Sequence, residues 1–112
     1  MNQLFWHLLA GTRGGSNRLR ILDEILQEPL NAQQLADRLG VDYRTVRHHI
    51  GVLSANGLLS RREGDGYGAR LYASGLVVSN LGTLEEIHAH MRKGGGRVGV
   101  PPRRRPHTAG VD

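Results

Sequence analysis

Apolar positions along this chain recur first with a helical period, then with a period of two, then with a helical period again. Leu4, Phe5, Leu8 and Leu9 fall on one side of a short helix, with Trp6 and His7 on the other. Gly11-Thr12-Arg13-Gly14-Gly15 breaks the pattern. Ser16 can then cap a helix running to Gln27, in which Leu19, Leu22, Ile25 and Leu26 form an inward stripe that Ile21 widens. Asp23 and Glu24 fall on its outer side, and Pro29 forbids its continuation.

From Asn31 to Leu59 two further helical patterns are joined by a short turn. Asn31 and Gln34 have the spacing of a capping box, with Leu35, Ala36 and Leu39 as the apolar face and Gly40 as the stop. Asp42 caps the next helix, whose inner positions are Val46, Ile50 and Leu53; Asn56-Gly57 ends it. A helix of about 8 residues, a turn of about 3 and a helix of about 14 form a helix-turn-helix.

After Gly57 the period becomes two. Leu58–Arg62 and Ala69–Ala73 read as strands of a hairpin around Glu63–Gly68, with Leu59 and Leu71 turned to the helices and Arg61, Arg62 and Arg70 turned outward. A hairpin directly after a helix-turn-helix is a wing. The helical period then returns in Val77, Leu81, Leu84, His88 and Met91, a heptad-like seam flanked by Leu76 and Ile87. These patterns predict a mostly α fold with a small β-hairpin (α+β): a winged helix-turn-helix with a three-helix core and a C-terminal helix. Residues 1–15 pack on the body, 16–75 form the domain, 76–93 form a helix available for homodimerisation, and 94–112 are a disordered basic tail.

Composition narrows the function. A length of 112 residues suits one domain, and 38% hydrophobic residues with five aromatics give it an aliphatic core. No cysteine is present, which excludes disulfides and thiolate metal sites. No apolar run approaches the roughly 20 residues of a membrane span, and MNQLFWHLLAG lacks the basic start and long apolar centre of a signal peptide, so the expected location is cytoplasmic. The net charge of +5, carried by 14 Arg and 1 Lys against 10 acidic residues, favours a polyanionic partner. The tail holds four arginines and Asp112, a net +3, leaving +2 on residues 1–93.

The second helix of the helix-turn-helix carries the chemistry. Opposite its apolar stripe stand Tyr43, Arg44, Thr45, Arg47 and His48. The major groove of DNA admits one helix, whose first turns meet base edges; arginine forks onto guanine, and threonine and tyrosine hydroxyls reach phosphate. Between Tyr43 and Tyr72 five arginines face Glu63 and Asp65, a net +3. The expected partner is double-stranded DNA, with Tyr43, Arg44, Thr45, Arg47 and His48 reading it and Arg61, Arg62 and Arg70 on the wing. The competing readings are a winged-helix protein-interaction module and an RNA-associated basic module. The latter would need exposed aromatics for stacking, which five aromatics barely supply.

LNAQQLADRLGVDYRTVRHHIGVLSANGLL followed by RREGDGYGARLY resembles the ArsR-like winged helix-turn-helix transcriptional regulators. It is especially similar to small archaeal members, whose openings are like LLAGTRGGSNRLRIL. The likeness spans about residues 4–75. It implies sequence-specific DNA binding, usually as a dimer, with the second helix in the major groove and the wing at the neighbouring backbone or minor groove. The departure is the missing cysteine set through which metal-sensing members often act.

Histidines offer little in its place. His48 and His49 are neighbours on a helix and point about 100° apart, so they cannot clamp one ion together. Glu85 and His88 could share a face, and two such pairs across a dimer would be needed for a zinc site. No metal or other cofactor is expected. No Ser-His-Asp, Cys-His or paired-carboxylate arrangement appears on a pocket-forming scaffold, so the chain is not expected to be an enzyme.

Overall fold

The computed structural model of the chain describes residues 2–62 and 68–94. The expected tip of the wing, 63–67, and all but the first residue of the expected basic tail therefore lie outside the described residues. Helix α1 (Gln3–Ala10) starts at Asn2, whose Oδ1 accepts from the N–H groups of Leu4 and Phe5 at 3.0 and 3.3 Å. It buries Phe5, Leu8, Leu9 and Ala10. Trp6, expected on the outer side, is half-buried, its ring set edge-on to His90 at 5.5 Å.

Helix α2 (Gly15–Gln27) begins one residue before the expected cap at Ser16. The cause is a close crossing with α1. A Cβ at Gly15 would stand 2.6 Å from the carbonyl oxygen of Leu9, and Gly14 caps the helix at φ +86°, a left-handed angle natural only to glycine. The inner face is Arg18, Leu19, Ile21, Leu22 and Ile25, whereas Leu26 is 37% exposed.

Helix α3 (Ala32–Leu39) has the reciprocal cap its sequence predicts. Asn31 Oδ1 accepts from the Gln34 N–H at 2.8 Å and Gln34 Oε1 from the Asn31 N–H at 2.9 Å. Gly40 ends it at φ +66°. Helix α4 (Tyr43–Ala55) follows, capped by Asp42, whose Oδ2 accepts from the N–H groups of Arg44 and Thr45 at 3.0 and 3.3 Å. Each cap of this kind contributes about 1 kcal/mol, enough to fix where these short helices start.

Strands β1 (Leu59–Arg62) and β2 (Arg70–Ala73) pair antiparallel, Leu59 opposite Ala73 and Arg62 opposite Arg70. An isolated bridge adds Leu30 to this sheet, the N–H of Leu71 donating to the Leu30 carbonyl at 2.9 Å. The base of the wing is thus bonded to the linker between α2 and α3.

The C-terminal seam is not one helix. α5 (Gly75–Val78) stops and α6 (Leu81–Arg92) starts after Ser79-Asn80. Ser79 Oγ donates to the Gly75 carbonyl at 2.9 Å and Asn80 Nδ2 to that of Leu76 at 2.8 Å, side-chain bonds that compete with the helical ladder. Val77, Leu84 and Ile87 are buried within the chain, and α6 packs on α1. His88 Nε2 lies 2.9 Å from Asp23 Oδ1, tying α6 to α2. Leu81, expected in the seam with Val77 and Leu84, is 45% exposed; Leu76 and Val78 are also exposed.

All helices and the hairpin share one apolar core that joins Phe5, Ile21, Leu35, Val46, Leu53 and Ile87. No helix among the described residues is long and apolar enough to cross a membrane.

Candidate nucleic-acid interface

Helix α4 has two chemically distinct sides. Val46, His49, Ile50 and Leu53 are buried, and Arg44, Thr45, Arg47, His48 and Gly51 are exposed. Tyr43, also expected at the surface, is half-buried and packs against the core. Arg47 Nη1 donates to Tyr43 Oη at 3.2 Å, while its Cζ sits 5.9 Å from the ring centroid, so the guanidinium rests at the hydroxyl edge. The first turn of the helix is open to solvent, with Asp42 already engaged by backbone N–H groups.

The register of the wing separates its arginines. Paired residues share a face and faces alternate along a strand, so Arg62 and Arg70 lie on one face with Ser60 and Tyr72. Arg61 pairs with Leu71 and lies on the other face. Leu71 is buried there, yet Arg61 is exposed. Arg61 thus differs from the expectation that all three stand on the outward face, because each residue step along a strand reverses the side.

Five of the described carboxylates are engaged elsewhere. Glu24 and Glu28 flank Arg38, Asp23 meets His88, Asp37 Oδ1 accepts from Gln33 Nε2 at 3.1 Å, and Asp42 caps α4. Among the described residues no carboxylate pairs with Arg44, Arg47, Arg61 or Arg70. Among the described residues, the positive charge of α4 and of Arg61 and Arg70 is therefore not paired, while that of Arg38 on α3 is neutralised. His88, bonded to Asp23, does not join Glu85, and no group of three or more His, Asp or Glu suited to a metal occurs among the described residues.

Sequence reasoning missed one polar cluster behind the helix. Arg18 is 5% exposed and His49 6%. Arg18 Nε donates to the Leu8 carbonyl at 2.9 Å, Nη2 donates to Thr12 Oγ1 and to the Arg13 carbonyl, and Nη1 lies 3.1 Å from His49 Nδ1. The signal was present: Arg18 stands at i−3, i−4 and i−7 to Ile21, Leu22 and Ile25, on the inward stripe. His49 is buried on the same side of α4 as Val46, Ile50 and Leu53. Its pKa is lowered, first by burial, then by the charge of Arg18, then by that of His48; burial alone lowers Arg18.

Three packed helices, an exposed basic helix in second place in the turn, and a hairpin bonded to the same body define a winged helix-turn-helix protein. Known proteins narrow the class. The family described as a helix-turn-helix domain matches residues 16–62. An ArsR-like transcriptional regulator from Rhodococcus sp. RHA1 is 30% identical, with 70% of this chain and 72% of that one covered and a TM-score of 0.51. A homodimeric winged helix-turn-helix DNA-binding domain from Mycobacterium bovis, a possible ArsR-family regulator, is 26% identical over 64% of this chain and 66% of that fragment, TM-score 0.53. The PcaV regulator from Streptomyces coelicolor, at 21% identity and TM-score 0.64 over 81% of this chain and 67% of its own, shares the fold. No curated protein sequence matches. The chain belongs to the ArsR-like winged helix-turn-helix transcriptional regulators, a class of DNA-binding proteins.

Proposed function

We propose that the chain is a cytoplasmic, non-enzymatic regulator that binds a preferred sequence of double-stranded DNA as a homodimer. Helix α4 enters the major groove and presents Arg44, Thr45, Arg47 and His48, with Tyr43 at its edge. Arg61, Arg62 and Arg70 of the wing meet the adjacent backbone or minor groove. The observation that carries this reading is the charge left open: among the described residues Arg44, Arg47, Arg61 and Arg70 pair with no carboxylate, whereas Arg38 has two. Polyanion binding gains from cations whose charge is not already neutralised.

The dimer reading draws support from the M. bovis domain, which is described as homodimeric. In this chain Leu76, Val78 and Leu81 are 38%, 54% and 45% exposed, an apolar patch in the 76–93 region that a second copy would cover. Two copies of α4 would then reach successive major grooves, roughly 34 Å apart, on a pseudo-palindromic site.

The test is selection from a random-sequence duplex pool with the purified protein. An enriched motif with two related halves about one helical turn apart is expected. A pool that enriches no motif overturns the reading.

A further inference from the structure

The buried pair behind the reading helix has a chemical requirement that its geometry makes definite. A guanidinium has donors and no acceptor, and arginine stays charged in proteins. The 3.1 Å contact of Arg18 Nη1 with His49 Nδ1 therefore requires that Nδ1 carry no proton. His49 is then neutral, with its proton on Nε2. A second proton would set N–H against N–H at that distance, in a place where both side chains are over nine-tenths buried.

Among the described residues no anion stands ready to absorb that charge. From α2 the facing group is Arg18 itself, and from α4 it is His48, whose ring centroid lies 5.3 Å away. From the turn between α1 and α2, Thr12 and the Arg13 carbonyl are engaged by Arg18, and the side chain of Arg13 is exposed. Among the described residues no carboxylate pairs with either member. Gly14 lies against the pair: a Cβ there would stand 2.7 Å from His49 Cε1 and 3.3 Å from Arg18 Nη1, so the packing around the ring tolerates no side chain at 14.

The pair also ties α4 to α1 and to the turn that follows it. Arg18 bonds the last turn of α1 through the Leu8 carbonyl and the following turn through Thr12 and Arg13, and on its other side it bonds α4. We infer that Arg18 is a positioning residue for the reading helix: through the unprotonated Nδ1 of His49 it holds α4 to the turn between α1 and α2, and a proton at His49 releases that hold and weakens DNA binding. This rests on the DNA-binding reading above.

The experiment compares the wild-type chain with His49→Asn, which keeps an acceptor near the position of Nδ1 and does not titrate. Affinity for the selected duplex is measured from pH 8 to pH 5 at constant salt. Every other residue is common to both proteins, so the ratio of affinities reports the substitution at 49. The wild type is expected to lose affinity relative to His49→Asn as pH falls, by up to about tenfold per pH unit, the limit for one proton. Parallel profiles overturn the inference. Should His49→Asn fail to fold, imidazole NMR of the wild type decides. An unprotonated Nδ1 on His49, with protonation only below the ordinary imidazole value, upholds the hold on α4; a protonated Nδ1, or protonation at the ordinary value, overturns it. If no duplex is selected at any pH, the DNA reading falls, and the same NMR titration still judges the Arg18–His49 contact.

Discussion

Arg47 is already held in the free protein, its Nη1 bonded to Tyr43 Oη at 3.2 Å across one turn of α4. A long side chain fixed in this way loses less rotamer entropy when it meets a base or phosphate. Arg47→Ala is expected to lower affinity for the selected duplex by about 1–3 kcal/mol and to relax preference at one base position if the arginine reads a base. Tyr43→Phe removes the acceptor, is expected to change stability by less than about 1 kcal/mol, and lowers affinity less than Arg47→Ala does. Binding titrations on duplexes varied at each position give both answers. Equal affinity of Arg47→Ala and wild type would remove Arg47 from the interface.

Gly51 stands on the exposed side of α4, one turn beyond Arg47, with no atom within 4 Å of the place a Cβ would occupy. Gly51→Ala is therefore expected to raise stability by about 0.5–1 kcal/mol in urea unfolding. If its affinity for DNA falls despite that gain, the bare backbone at 51 lies against the duplex. A loss of stability would mean that the position is occupied in solution.

Gly14 and Gly40 both adopt left-handed angles, φ +86° and +66°, but in different company. Around Gly40 nothing lies within 4 Å, so Gly40→Ala should cost only the backbone term, roughly 1–2 kcal/mol. Gly14→Ala adds a collision with His49 Cε1 at 2.7 Å and crowding of Arg18 Nη1 at 3.3 Å. Its thermal midpoint should drop further than that of Gly40→Ala; equal drops would mean that the turn yields freely.

Stability should also depend on pH in one direction. The folded-state pKa of His49 lies below its ordinary value of 6.5. The unfolded chain therefore takes up that proton first. The contribution of His49 is complete above about pH 6.5 and is lost as pH falls from there toward the lowered folded pKa. Urea unfolding at pH 7.5 and pH 5.5 should show a smaller drop in His49→Asn than in wild type. A larger drop in the variant would reverse the sign and refute the assignment.

Leu81 and Ile87 separate assembly from folding. Leu81 is 45% exposed and Ile87 is fully buried. Leu81→Asp is expected to yield a folded protein of half the mass by sedimentation, whereas Ile87→Asp loses its helical signal. A Leu81→Asp protein that sediments as wild type would move the dimer contact away from this patch.

Much of this architecture was legible because each helix carries its own start signal. Asn31 with Gln34, and Asp42 ahead of Tyr43, announce their caps in the sequence, and both caps are present. The period-two stretch likewise gives the hairpin to within a residue at each end. What periodicity could not give was the destination of a stripe. Val77, Leu84 and His88 have the spacing of a seam between copies, but spacing is the same whichever surface receives it, and α1 and α2 receive it here. Arg18 was read past for a related reason: charge suggests solvent, and only the convergence of Leu8, Thr12, Arg13 and His49, distant in sequence or set in a turn, gives a guanidinium enough acceptors to be buried. On α4 the exposed side follows directly from the inward positions, since a helix with one buried stripe has the other side to spare; only Tyr43 departs, being half-buried.

The bond from Leu71 to Leu30 gives the protein something like a caliper. Because the wing's base and the helix-turn-helix are set on one frame before any duplex arrives, the gap between the two contact elements is a property of the protein. DNA would have to match it. Duplexes whose groove width or curvature already suits that gap would bind at lower deformation cost, so base steps that neither α4 nor the wing touches would still contribute to the preferred sequence.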